Sequence, residues 1–144
     1  MTALDEARAH LAKAREFLEA AELTNDLQLF NAAASNAVTS GINSKDAICL
    51  ALTGRTRKSD NHAEAVAELK GAGRAGRESS ATLSRLLKLK SKVAVPGGLG
   101  VGPEAAKSIE WAARLLETSA WWAAAQAAIA VAASSRDRPR SVSS

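Results

Sequence analysis

The chain has 144 residues, 47% apolar and only 3% aromatic, with a net charge of +4. That is one domain's worth of chain, and its abundance of alanine with no tyrosine argues against a sheet and for an all-α fold. A single cysteine, Cys49, excludes an internal disulfide framework and a thiolate metal cluster.

Leu4, Leu11 and Leu18 recur every seven residues with Ala7, Ala14 and Ala21 between them, which predicts a first helix over about residues 3 to 23. His10 is read as part of its solvated face. Thr24-Asn25-Asp26 breaks the pattern and offers a cap for the next element. The second helix runs from about Leu27 to Thr53 without proline, with Cys49 as a buried small hydrophobe. Ala32 to Ala34, Ala37, Ser40, Gly41, Ser44 and Ala47 form a ridge of small residues along it. Such a ridge admits a second helix closely, and either this chain or another copy can supply it. A third helix begins at Asn61, because Asn61 and Glu64 have capping-box spacing; Gly71 and Gly73 end it. Ser79-Ser80 is read as the cap of a fourth helix carrying Leu83, Leu86, Leu87 and Leu89. Val93 to Gly102 reads as a flexible linker; its glycines lack the Gly-Lys-Ser/Thr of a phosphate loop. Proline suits a first helical turn, so Gly102-Pro103 starts the last helix. That helix carries Trp111, Trp121 and Trp122, read as core or interface residues. Ala120 to Ala133 continues it, folds back, or forms a separate contact. The expected organisation is a helical bundle over residues 1–133 and a disordered polar tail over 134–144.

No secretory pattern opens the sequence, and Ala120 to Ala133 is shorter than the roughly 18 residues of a membrane span, so a soluble cytoplasmic protein is expected. Charge is uneven. Residues 1–30 hold three basic and six acidic side chains, whereas residues 55–92 hold ten basic and four acidic. This asymmetry favours a polyanionic partner near the middle of the chain, against the plainer reading of solvated helix surfaces.

The junction Gly54 to His62 (GRTRKSDNH) carries the chemistry. Four residues separate Arg57 from His62 and six separate Arg55 from it. A permanent cation beside a base that titrates near neutrality suits work on a phosphodiester. The junction adjoins a helix start, where backbone N–H groups favour a bound phosphate. Asn43 and Asp46 lie three residues apart on the preceding helix, and Leu50 and Thr53 continue that stripe towards the junction. Asp46 is therefore expected to orient Arg57, Arg55 or His62.

The segment Asn31 to Val38, the run Gly41-Ile42-Asn43-Ser44-Lys45-Asp46-Ala47-Ile48-Cys49, the Gly54-Arg55 turn, the start Asp60-Asn61-His62-Ala63-Glu64-Ala65-Val66 and Leu86 to Lys92 resemble HEPN-domain proteins over about residues 4 to 118. The resemblance implies an antiparallel bundle of about five helices, usually a homodimer. It also implies a metal-independent endoribonuclease with an Arg, four to six residues, then His motif. Arg57 and His62 are the implied catalytic pair, with Arg55, Lys58 and Asn61 contacting substrate and Asp46 and Asn43 in support. The residue after either arginine is not the commoner Asn, which leaves the choice of arginine open. No cofactor or metal is implied; RNA is the partner, and a nucleotidyltransferase-type antitoxin is a further one if the protein is a toxin. Two other readings stand beside this: a non-catalytic nucleotide- or RNA-binding module, and a dimerisation scaffold built on the small-residue ridge.

Overall fold

The computed structural model describes residues 1–57, 61–93 and 101–136. It is all-helical among these residues, with α1 (Ala3–Asp26), α2 (Phe30–Thr53), α3 (His62–Lys70), α4 (Arg74–Val93) and α5 (Val101–Arg136). Thr2 and Asp5 close a reciprocal capping box at the start of α1. The expected cap at Thr24 to Asp26 is not one. Those residues finish α1, and the Thr24 hydroxyl donates back to the Ala20 carbonyl at 2.7 Å. α2 starts instead after Leu29, which makes no side-chain cap. At its far end Gly54 takes a left-handed φ of 77°, the conformation glycine adopts without a Cβ penalty, and donates to the Leu50 carbonyl at 3.0 Å.

α1 and α2 form an antiparallel hairpin with the largest helix–helix contact in the chain. The alanines between the α1 leucines make the closest approach: Ala7, Ala14 and Ala21 are fully buried, whereas Leu4 and Leu18 are only partly so. The ridge on α2 is covered from within the chain. The Ser40 hydroxyl donates to the Ala14 carbonyl of α1 at 2.7 Å. A Cβ on Gly41 would collide with Leu86 Cδ2 of α4 and lie 3.4 Å from Leu115 Cδ1 of α5. The ridge is thus spent on intramolecular packing and is not open to a second copy. Gly102 lies against the Phe30 ring and Leu115 against Gly41, so α5 runs parallel to α2.

α4 begins at Arg74, earlier than the serines suggested; Ser79 and Ser80 sit buried inside it, and the Ser80 hydroxyl donates to the Arg77 carbonyl. Its apolar face delivers Leu83, Leu86 and Leu87 to a core shared with Ile48, Leu69 and Leu115. α5 continues without folding back to Arg136, three residues into the expected tail. Trp111 packs partly buried against the core. Trp121 does not: it is 62% exposed and meets Trp122 edge-to-face at 4.7 Å. Residues 94–100 of the expected linker and 137–144 of the expected tail lie outside the described residues. No helix among the described residues is long and apolar enough to cross a membrane.

Candidate active site

The site grows from a lysine. Lys45 of α2 is 1% exposed, and burying an unpaired ammonium costs several kcal/mol. The fold answers with a full set of acceptors. Lys45 Nζ donates to Asp46 Oδ1 and to Glu68 Oε1 of α3, both at 2.8 Å, and to the Arg57 carbonyl at 3.1 Å. These three acceptors match the three N–H bonds of an ammonium group. Thr56 Oγ1 lies 3.3 Å from Nζ and offers its hydroxyl to Asp46 Oδ1 at 2.7 Å and Glu68 Oε1 at 3.0 Å. The Arg57 backbone N–H donates to both Glu68 oxygens, at 3.1 and 3.0 Å. Two helices thereby grip the Thr56 hydroxyl and the Arg57 backbone through one charge cluster.

The electrostatics follow from these contacts. Burial presses the Lys45 pKa down, but hydrogen bonds to Asp46 and Glu68 outweigh it and hold the ammonium above its ordinary 10.5. Burial pushes the Glu68 carboxyl up, but Lys45, the Arg57 N–H and Thr56 overcome this and hold it below its ordinary value. Cys49 is buried as expected; burial pushes its thiol up to about 12, which leaves no thiolate for nucleophilic chemistry near neutrality.

The cluster holds the chain where its arginines meet solvent. Arg55 and Arg57 are exposed, and the Thr53 hydroxyl, 2.7 Å from the Cys49 carbonyl, lies 3.0 Å from the Arg55 carbonyl. Both arginines line an open cleft of about 640 Å³, within the range that small ligands fill. Thr53 and Cys49 line it from α2, and Glu64 and Ala67 from α3. Asn61 caps α3 as expected, its side-chain oxygen accepting from Ala63 N at 2.9 Å and Glu64 N at 3.3 Å. His62 is the first residue of α3 and is exposed. It does not line the cleft, although Glu64, two residues on, does. Lys58 lies outside the described residues.

Two expectations are corrected here. Asp46 does not orient the arginine side chains or His62; it accepts from the Lys45 ammonium and the Thr56 hydroxyl and so reaches the loop through the Thr56 side chain. His10 is not on a solvated face. Its Nδ1 lies 2.9 Å from Asn43 Oδ1 and 3.8 Å from Asp46 Oδ2. Asn43 Nδ2 donates to the Thr39 carbonyl at 2.9 Å, which turns Oδ1 towards the ring and places a hydrogen on His10 Nδ1. Asn43 thus supports His10 rather than the junction.

Sequence reasoning missed Lys45 and Glu68. The cue for the first was a charged pair, Lys45-Asp46, inside the apolar and small run from Ala37 to Ala51, where no helix face is left for solvent. Glu68 gave no comparable cue. Among the described residues no group of three or more His, Cys, Asp or Glu is arranged to hold a metal ion. Neither family models, curated proteins nor solved structures give a match to this chain.

Proposed function

We propose that this protein is a HEPN-like, metal-independent endoribonuclease whose working groups are Arg57 and His62. The observation that carries the reading is a division of labour at the junction. A buried charge cluster fixes the backbone of residue 57, while the guanidinium groups of Arg55 and Arg57 stay exposed at the mouth of a cleft. An exposed imidazole follows at a capped helix start. In the reaction, His62 takes the proton of a ribose 2′-hydroxyl as that oxygen attacks the adjacent phosphorus. Arg57 binds the non-bridging oxygens and stabilises the charge that grows on them. Arg55 holds a neighbouring phosphate. The 5′-oxygen leaves with a proton from an acid, which the His62 of a second copy supplies in a homodimer. The products are a 2′,3′-cyclic phosphate and a 5′-hydroxyl. DNA lacks the nucleophile and is bound without being cut. A toxin or defence role follows, with a nucleotidyltransferase-type antitoxin seated over the cleft.

Incubating RNA with the protein in EDTA and analysing the end groups tests this. Wild type yields cyclic phosphate and 5′-hydroxyl ends, and His62→Ala yields none while still binding RNA. RNA left intact by correctly folded wild type overturns the enzyme reading. The position of His62 outside the cleft lining favours one second reading, a module that binds nucleotides or RNA through the two arginines and does not cut.

A further inference from the structure

We infer that the solvent face of α4 binds the phosphate backbone of base-paired nucleic acid and leads the duplex to the cleft. Arg74, Arg77, Arg85 and Lys88 are all exposed and recur at spacings that place them on one helix face, with Ala81 between them. At a rise of 1.5 Å per residue, the stripe from Arg74 to Lys88 is about 21 Å long. Arg77, Arg85 and Lys88 have no ion-pair partner among the described residues, in contrast to Lys107 and Arg114 of α5, which both pair with Glu110; Arg8, Lys13 and Arg15 of α1 are likewise exposed and without an ion pair, but they do not adjoin the cleft. The single acid on α4, Glu78, meets Arg74 Nε at 3.5 Å with both side chains more than 70% exposed, a bridge that a phosphate readily replaces. Like charges three apart destabilise a free helix by a few tenths of a kcal/mol, and a polyanion relieves that cost.

The stripe adjoins the candidate active site. Gly71 and Ala72 line the cleft, and Arg74 follows two residues later. α3 and α4 meet so tightly that a Cβ on Gly76 would run into the Leu69 carbonyl, which fixes the start of α4 against α3, the helix that supplies one side of the cleft. Glu68 shares the single charge of Lys45 with Asp46, and Glu64 also lines the cleft, so a polyanion entering there meets carboxylates as well as the two arginines.

The character of the face selects the partner. An anionic membrane surface is a poor match, because a helix that lies in a bilayer inserts its apolar face. The apolar face of α4 (Leu83, Leu86 and Leu87) is buried in the bundle. A single strand is bound chiefly by stacking its bases on aromatic side chains, and α4 has none. A duplex presents phosphates outward at about one charge per 1.7 Å of axis, so about 21 Å of it offers some twelve charges to four cations. The inference deepens the ribonuclease reading and rests on it only for what happens once the strand reaches the cleft.

Fluorescence anisotropy of the full chain with a 2′-O-methyl RNA duplex tests the surface without any cleavage, because that probe has no free 2′-hydroxyl. The same-length single strand and anionic vesicles serve as competitors. Arg77→Gln/Arg85→Gln/Lys88→Gln is compared with Arg8→Gln/Lys13→Gln/Arg15→Gln, which makes the same change of net charge on exposed α1 positions. Circular dichroism confirms that both variants remain folded. The inference expects the α4 variant to lose about 100-fold in affinity at low salt and to flatten the slope of log K against log salt by nearly 3, about 0.9 per lost phosphate contact. The α1 variant keeps the wild-type slope. Equal behaviour of the two variants overturns the inference, as does preferential competition by vesicles or by the single strand. If the α4 result holds and unmodified RNA stays uncut, the stripe stands and the ribonuclease reading alone falls.

Discussion

Two clusters of charge lie on either side of residue 57, and they differ in what they leave unsatisfied. Inside, Lys45, Asp46, Glu68 and Thr56 satisfy one another, and each close contact is between 2.7 and 3.3 Å. Outside, Arg55, Arg57 and His62 are exposed. The backbone of Arg57 belongs to the first cluster and its side chain to the second. A charge whose partners are all internal holds the fold together. A charge that is open to solvent on an anchored backbone is available to a ligand. The comparison therefore assigns a structural role to the interior cluster and leaves the rim charges open to solvent, and mutations on each side should separate the proposed chemistry from the fold.

The largest expected effect is on the interior. Lys45→Met leaves two carboxylates facing each other without their cation, which costs roughly 3–5 kcal/mol and lowers Tm by roughly 10 °C or more. A calorimetric shift of only a degree or two would contradict the structural role. Glu68→Gln comes next, at roughly 1–3 kcal/mol, because it weakens the ammonium contact and the grip on the Arg57 N–H.

Glu68 and Lys45 also set opposite pH limits. Glu68 has its folded pKa lowered, so its stabilisation is complete above its unfolded value near 4.5 and is lost as pH falls through the lower folded value. Lys45 has its folded pKa raised, so its contribution is complete below 10.5 and is lost as pH rises through the higher folded value. Denaturant titrations across pH should show a plateau between these limits, and Glu68→Gln should flatten the acid limb. An unchanged acid limb in that variant would remove Glu68 from the account.

Gly54→Ala is a smaller perturbation, about 1 kcal/mol, since alanine must adopt the left-handed φ that ends α2. No side chain is near enough to add a clash. Arg57→Ala and Arg55→Ala sit at the bottom of the scale, within about 0.5 kcal/mol, because the backbone contacts of residue 57 survive the change. A large loss of stability in either would mean that the rim is structural after all.

The local signals in this sequence were readable, and the tertiary ones were not. Asn61 capped α3 as its spacing with Glu64 foretold, and Gly54 ended α2, because caps and stops involve neighbours in the chain. The small-residue ridge was visible, but its occupant was not, since Leu86 and Leu115 reach Gly41 from distant segments. Capping-type residues misled at Thr24 to Asp26, where the Thr24 hydroxyl bonds back to the Ala20 carbonyl and the helix runs on, and at Ser79-Ser80, which burial holds inside α4. The Lys45–Glu68 contact joins α2 to α3 across the whole junction, and no periodicity reports such a pair. His10 was misplaced for a related reason. It borders the Ala7–Leu11–Ala14 stripe, and only the approach of Asn43 decides that it turns inward.

The most direct test asks whether the rim works separately from the interior. Single-turnover RNA cleavage in EDTA by wild type, Arg57→Ala and His62→Ala, each matched for folded fraction by its melting curve, answers it. The account predicts unchanged melting curves and cleavage reduced by at least about 100-fold in both variants, with cyclic phosphate ends from wild type. Wild-type cleavage by either variant, or none by wild type, would contradict it.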